Sequence, residues 1–251
     1  MLSQEEYNEY CTRFKIVWRL LSEMSYPSEV VISKICELRG YDKDGHIPKE
    51  LNNVGFLYLK PDLYDMSKVL KLDSSGDLGL FNAGKFILVN RFIFPVKDML
   101  GNIIALIGWF PDEKKYITTP SRLFSKKCLF FGMDQLSRTG ISKNYFLVEG
   151  IFDSISIRSL GFNCVALMGI SASKYTEVLY SLFKSLVAIP DNDKEGRRVV
   201  LEDKWKLPSN GKYLRWKGSI KDIDDLLKYY DMKDVFNNVW YESERVVTVD
   251  I

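Results

Sequence analysis

Tyr145-Phe146-Leu147-Val148-Glu149-Gly150-Ile151-Phe152-Asp153 and Leu186-Val187-Ala188-Ile189-Pro190-Asp191-Asn192-Asp193-Lys194-Glu195-Gly196-Arg197 decide the reading of this 251-residue chain. Each is a short apolar run that ends abruptly in carboxylates. Runs of this length, separated by a helical pattern at Tyr175, Val178, Leu179, Leu182 and Phe183, predict buried parallel strands. In parallel sheets ligands gather at the carboxyl ends of the strands. Glu149 and the Asp191/Asp193 pair are therefore expected along one edge, with Asp153 one helical turn further on. Asp191 and Asp193 are two apart, so an extended backbone points both to the same side. Crowded carboxylates repel one another, and a divalent cation removes that cost. Oxygen donors with no His or Cys nearby favour Mg²⁺ or Mn²⁺ over Zn²⁺. A further strand is predicted at Lys212-Tyr213-Leu214-Arg215-Trp216. A third acidic cluster, Lys221-Asp222-Ile223-Asp224-Asp225-Leu226-Leu227, follows it.

Taken together, Glu149-Gly150 with Asp153, Asp191-x-Asp193 with Gly196 and Arg197, and Asp222-x-Asp224 resemble the Toprim domain. That domain occurs in bacterial-type primases, type IA and type II topoisomerases, OLD-family nucleases and recombination mediators. The fit is closest to DnaG-like primases, whose pattern reads EGxxD, LGTS, DxDxAGxxA and KDPDELL. The matching pieces are Glu149 to Asp153, Leu167 to Ser171, Asp191 to Val199 and Lys221 to Leu227. The departures are Asn192 for a usual Gly, Glu195 for Ala and Ile223 for Pro; none removes a carboxylate. The resemblance implies metal ligands at Glu149, Asp153, Asp191, Asp193, Asp222 and Asp224, with Glu149, Asp191 and Asp193 as the catalytic set.

Upstream, Arg91-Phe92-Ile93-Phe94-Pro95-Val96-Lys97-Asp98, a turn near Met99-Leu100-Gly101-Asn102, and Ile103 to Trp109 predict a β-hairpin. The same stretch resembles the primase motif RxMFPIRDxxGxxIGFGGR, with Trp109 where Arg is frequent. Lys115 to Pro120 resembles KYLNSP, and Phe124-Ser125-Lys126 resembles FHKG. The resemblance implies that Arg91, Lys97, Lys115, Tyr116, Lys126, Lys127 and Arg197 face template or nucleotide. Basic groups interleaved with aromatic ones suit single-stranded nucleic acid; without the resemblance, a solvated basic loop explains them as well.

Net charge is only +2, so overall charge does not announce a nucleic-acid binder. Its distribution says more: Lys114, Lys115, Arg122, Lys126 and Lys127 follow one another with no acid between them. The four cysteines form no C-x-x-C pair, and His46 is the only histidine. A His-based triad is excluded, and neither a zinc ribbon nor a disulfide scaffold is expected. No apolar run is long enough to span a bilayer, and the polar start is not a signal peptide, so a cytoplasmic protein with no membrane partner is expected.

At the amino terminus, Ser3-x-x-Glu6 is a capping box. Tyr7, Tyr10, Phe14, Val17 and Leu21 then recur at helical spacing. A second helix is expected after Pro27, with Val31, Ile35 and Leu38 on its buried face and Gly40 as its stop. Asp42-Lys43-Asp44-Gly45 reads as a turn, since it lacks the remaining ligands of a calcium loop. Gly79 to Lys85 has the spacing of a P-loop, but Phe86 stands where the magnesium-binding hydroxyl belongs. It is read as the end of a helix, and an ATPase motor is rejected.

The expected fold class is α/β. Residues 1–143 would form an α+β primase-core subdomain, 144–232 a Toprim domain with a mainly parallel sheet flanked by helices, and 233–251 a short tail able to add an edge strand. The function implied is metal-dependent synthesis of short RNA primers on a single-stranded DNA template from NTPs. Two Mg²⁺ or Mn²⁺ ions and no zinc would serve it. The alternatives are a Toprim nuclease or nicking enzyme and a non-catalytic Toprim module. With no cysteine cluster to build a zinc domain, the chain resembles a minimal core of the kind phages and small replicons carry. A replicative helicase or a separate zinc-bearing protein is its expected partner.

Overall fold

A computed structural model describes residues 3–61, 65–112, 115–119, 130–140, 143–167 and 178–250. The chain divides into two compact units, residues 1–126 and 127–251.

The first unit opens with α1 (Gln4–Glu23), started as predicted. Ser3 Oγ accepts the Glu6 N–H at 3.2 Å and Glu6 Oε2 accepts the Ser3 N–H at 2.7 Å. Its buried face is Tyr10, Cys11, Phe14, Val17 and Leu21. Tyr10 Oη donates to the Ile104 carbonyl at 2.9 Å, which ties α1 to the sheet beneath. In α2 (Ser28–Arg39) Val31 and Ile35 are buried, and Gly40 ends the helix in the left-handed region at φ 69°. Leu38, expected on the same face, is exposed instead. The buried stripe drifts off the helix before its last turn, where Cys36 takes the buried place. Helices α3 (Ile47–Val54) and α4 (Ser67–Leu72) complete the helical part.

The four-stranded sheet runs β1 (Leu57–Tyr58), β4 (Phe92–Lys97), β5 (Ile103–Phe110), β6 (Lys115–Thr118), all pairs antiparallel. The predicted hairpin is β4–β5, with Phe92 opposite Trp109 and Phe94 opposite Ile107. Asp98 builds its turn: Oδ1 accepts the N–H groups of Leu100 and Asn102, each at 2.8 Å. The stretch Gly79 to Lys85 corrects the sequence reading. It ends no helix; Phe81–Asn82 (β2) and Lys85–Phe86 (β3) pair antiparallel. Ala83 and Gly84, at φ 47° and 74°, form the two-residue turn. Positive φ at both turn positions matches the twist of a tight hairpin, whereas a P-loop opens a helix.

The second unit is a five-stranded, wholly parallel sheet in the order β11 (Val246–Val249), β10 (Lys212–Trp216), β9 (Ser185–Ile189), β7 (Asn144–Val148), β8 (Cys164–Ala166). Among the described residues its helices are α5 (Gln135–Thr139), α6 (Ile151–Ser159), α7 (Lys194–Leu201), α8 (Ile223–Leu226) and α9 (Lys233–Asn238), besides a helical stretch at 178–180 and a 3-10 turn at Val239–Tyr241. The two apolar runs became the adjacent strands β7 and β9, paired from Asn144 opposite Ser185 to Val148 opposite Ile189. Successive side chains of a strand face opposite sides. Tyr145 and Leu147 accordingly enter a core with Leu186, Ala188, Val199, Trp205 and Tyr213. Phe146 faces the other way, its ring centroid 4.8 Å from those of both Phe236 and Trp240.

The last residues are integral to this sheet. Val246 to Val249 pair with Tyr213 to Trp216, the edge strand that the tail was expected to add. Phe146 is the anchor for the segment leading there. Phe146→Ala is expected to destabilise the second unit by about 3–5 kcal/mol, the usual cost of deleting a fully buried aromatic ring. It should also erase amide protection over Lys233–Asn238. Hydrogen exchange checks this; unchanged protection there would show that the aromatic cluster does not hold the tail.

Candidate metal centre

The parallel topology delivers the acidic residues to one edge. Glu149 follows β7, Asp191 and Asp193 follow β9, and Asp222 and Asp224 lie beyond β10. Strands β7 and β9 end at the same level, Val148 opposite Ile189, so the residues that follow come out side by side. The Asp191 N–H donates to Glu149 Oε1 at 3.3 Å, across the β7–β9 pair. Asp193 is extended, at φ −103° and ψ −172°, and caps α7 by accepting the Gly196 N–H at 2.9 Å. Gly196 is required by this turn: a Cβ there would collide with the Asp191 carbonyl oxygen. Asp222 repeats the device at α8, accepting the Asp225 N–H at 2.8 Å.

Two of the predicted ligands are inward-facing. Asp153 is buried, with Oδ2 accepting the Gly150 N–H at 3.1 Å and Oδ1 accepting the Asp224 N–H at 3.2 Å. It thereby ties the start of α6 to the third acidic segment. Asp224 is also buried; Ser156 Oγ donates to its Oδ1, and Lys228 Nζ lies 3.8 Å from its Oδ2. Ligand oxygens of Asp222, Asp224 and Asp225 come within 4.8 Å of one another. Asp225 was not among the predicted ligands; its place beside Asp222 and Asp224 in the sequence was the only signal. Lys221 was also missed. Its Nζ lies 3.0 Å from Asp191 Oδ2 and 3.6 Å from Asp193 Oδ2, so both aspartates do point to one side.

Electrostatics follow from this crowding. Burial, then the Asp191 carboxylate, push Glu149 up to about 7; the Asp191 N–H and Lys221 only partly offset them. Burial also raises Asp191 against the pull of Lys221, and raises Asp222 with help from Asp225, Asp224 and Asp191. Asp153 lies well above the carboxylate range, through burial first and the Asp222, Asp224 and Asp191 charges next. Asp193 goes the other way, because the Gly196 N–H stabilises its anion. Hard oxygen donors short of positive charge are the donor set that a divalent cation such as Mg²⁺ or Mn²⁺ fits. Arg197 is exposed on the first turn of α7, next in sequence to Gly196.

The remaining predicted residues belong to the first unit. Arg91 precedes β4 and lays its guanidinium 5.3 Å from the Phe110 ring centroid. Its Nε and Nη1 are buried with no hydrogen-bond partner among the described residues. Gly108 makes that path possible, since a Cβ there would lie 2.6 Å from Arg91 Cδ. Lys97 is half-buried at the end of β4, and Lys115 and Tyr116 are exposed on the edge strand β6. Lys126 and Lys127 lie outside the described residues. No described helix is long and apolar enough to cross a membrane.

Residues 146–227 match the Toprim-like family model. In sequence the chain is similar to the DNA primase of Clostridium acetobutylicum, 29% identical over 167 residues that cover 61% of this chain and 28% of that protein. It is likewise similar to the DNA primase of Mycoplasma genitalium, 27% identical over 202 residues, 74% of this chain and 32% of the relative. The chain thus spans about three-tenths of the length of these curated relatives. A solved DnaG primase catalytic domain bound to single-stranded DNA superposes with a TM-score of 0.76 at 16% identity, covering 94% of this chain and 80% of that one. A structure of the zinc-binding and RNA polymerase domains of Aquifex aeolicus primase gives 0.69 at 22% identity, covering 94% and 61%. The chain has the fold of a DnaG primase catalytic core, and its acidic edge lies in the Toprim-like part.

The Glu149 environment makes a signed prediction for the metal-free protein. A carboxyl whose folded-state value is raised from 4.5 to about 7 contributes stability that is present below 4.5 and lost as pH climbs through 7. Glu149→Gln removes that loss. The variant should melt close to the parent at about pH 4 and above it at about pH 8. Thermal melts in chelator check this; a parallel shift at all pH values would contradict the raised Glu149.

Proposed function

We propose that this chain is the polymerase core of a DNA primase, joining ribonucleotides into short primers on single-stranded DNA. The observation that carries the reading is the pairing, in one chain, of the Toprim-like acidic edge with the sheet bearing Arg91, Lys97, Lys115 and Tyr116. The shared fold and the sequence similarity to DNA primases support it. Phosphoryl transfer needs little covalent help from protein; it needs charge neutralised and reactants aligned.

Glu149, Asp191, Asp193, Asp222 and Asp224 are the residues that would hold divalent cations, with Asp225 beside them. When bound, such cations neutralise the triphosphate and leaving pyrophosphate and ease ionisation of the attacking 3′-hydroxyl. Glu149, just after β7 with its carboxylate accepting the Asp191 N–H, is the group proposed to take the hydroxyl proton. Asp153 serves from beneath, fixing the start of α6 to the Asp224 segment. Arg91, just before β4 with its guanidinium against Phe110, is a basic residue proposed to face template or nucleotide. Lys115 and Tyr116 offer a charge and a ring to the template, and Lys126, Lys127 and Arg197 are proposed as further basic contacts to nucleic acid or nucleotide. A replicative helicase or a zinc-bearing protein is the partner proposed to deliver template, because tethering raises its effective concentration.

The test is incubation of the chain with single-stranded DNA, labelled NTPs and Mg²⁺ or Mn²⁺. Short labelled oligomers are expected, and Asp191→Asn should lower their yield by about 100-fold or more. Shortened or nicked template without synthesis would make the chain a Toprim nuclease instead. Lys115→Ala should weaken binding to single-stranded DNA and reduce the log–log salt slope by about 0.7 per lost phosphate contact. An unchanged slope, read by fluorescence anisotropy, would remove Lys115 from the template path.

A further inference from the structure

Asn192 stands where the Toprim pattern usually has Gly, and its side chain is fully used. Its Nδ2 donates to the Gly218 carbonyl at 3.1 Å and to the Ile220 carbonyl at 3.3 Å, while Arg215 Nη2 donates to its Oδ1 at 2.7 Å. Its backbone N–H donates to the Lys221 carbonyl. Trp216 Nε1 adds a bond to the same Ile220 carbonyl at 2.9 Å. The segment 218–221 is thereby strapped to the Asp191–Asp193 loop. A glycine at 192 would keep only the backbone bond.

The strap has a consequence for charge. It fixes the backbone of Lys221, whose Nζ then reaches Asp191 and Asp193 together, 3.0 and 3.6 Å away. The Lys221 side chain is 59% exposed, so its head can leave for solvent without unburying the stem. Asp191 is far less exposed, at 18%, and needs a positive charge near it when ionised.

We infer that this chain assembles its acidic edge before any metal arrives: Asn192 is a positioning residue that docks the Asp222/Asp224 segment, and Lys221 is an internal counterion that an incoming cation displaces. The inference rests on the metal-site reading above, but its first half concerns the metal-free protein alone. The two residues act in opposite senses on metal affinity. Lys221 competes with the cation, whereas Asn192 orders the donors that receive it.

The test uses the full chain, Mn²⁺ as probe, and two readouts independent of synthesis. By electron paramagnetic resonance titration, Lys221→Met should bind Mn²⁺ about tenfold tighter, as expected when a unit charge near a divalent ion is removed. Lys221→Arg should retain the parental affinity. Asn192→Gly should bind several-fold more weakly. By hydrogen exchange in chelator, Asn192→Gly should lose protection over residues 218–224, and saturating Mn²⁺ should restore it. Weaker or unchanged Mn²⁺ binding by Lys221→Met overturns the counterion role. Unchanged exchange over 218–224 in metal-free Asn192→Gly overturns the strap. If the parent binds no Mn²⁺ at all, the metal reading and the counterion role fall together, and the metal-free exchange still decides the strap.

Discussion

Repulsion among carboxylates crowded at the carboxyl ends of parallel strands is the constraint on which the second unit depends. Parallel pairing brings Val148 level with Ile189, so the acids that follow cannot avoid each other. The structure relieves the strain by aiming backbone N–H groups at almost every one. Asp193 and Asp222 accept from the first turns of their own helices. Asp153 accepts from Gly150 and Asp224, and Glu149 accepts from Asp191. Helix amino termini carry partial positive charge, so acids gathered there are partly compensated. Desolvation and neighbouring carboxylates outweigh this compensation at Asp153 and Glu149, which hold their protons more tightly than an exposed acid would. The remaining negative charge is what a hard cation would answer.

Small residues let that arrangement close up. Gly196 packs against the Asp191 carbonyl, where a Cβ has no room, and Gly150 is similarly filled by the Asp153 carboxylate. In the first unit Gly108 plays the same part for Arg91, letting the guanidinium stem lie across β5. A basic group with buried, unpaired donors costs stability unless a ligand satisfies it. Arg91, just before β4, is such a group among the described residues.

Much of this was legible in the sequence because it depends on neighbours along the chain. Alternation of period two, apolar runs of strand length and a capping box report local geometry, so α1, the β4–β5 hairpin and the β7 and β9 strands were expected where they occur. A strand ending in carboxylates, seen twice, also placed Glu149, Asp191 and Asp193 along one edge. Local reading failed where the backbone was permissive. Ala83-Gly84 adopts positive φ twice and turns a P-loop-like spacing into a hairpin. A single helical stripe likewise did not say that the last turn of α2 would leave Leu38 exposed.

Tertiary structure alone decided the roles within the acidic set. Spacing treats Asp153 and Asp193 alike, yet one is buried beneath Asp224 and the other caps a half-exposed turn. Lys221 and Asn192 carried no signal as a pair, because the bond from Asn192 to Gly218 spans 26 residues and that from Asp153 to Asp224 spans 71. Such contacts exist only after β9 and β10 have paired and brought two loops together. The sequence by itself determined which residues could bear charge and on which strand ends they would emerge, since both follow from residue type and backbone period. Which of them are dry, which share a proton donor and which share a lysine was decided by packing, because desolvation and Coulomb energy depend on distance in space rather than along the chain.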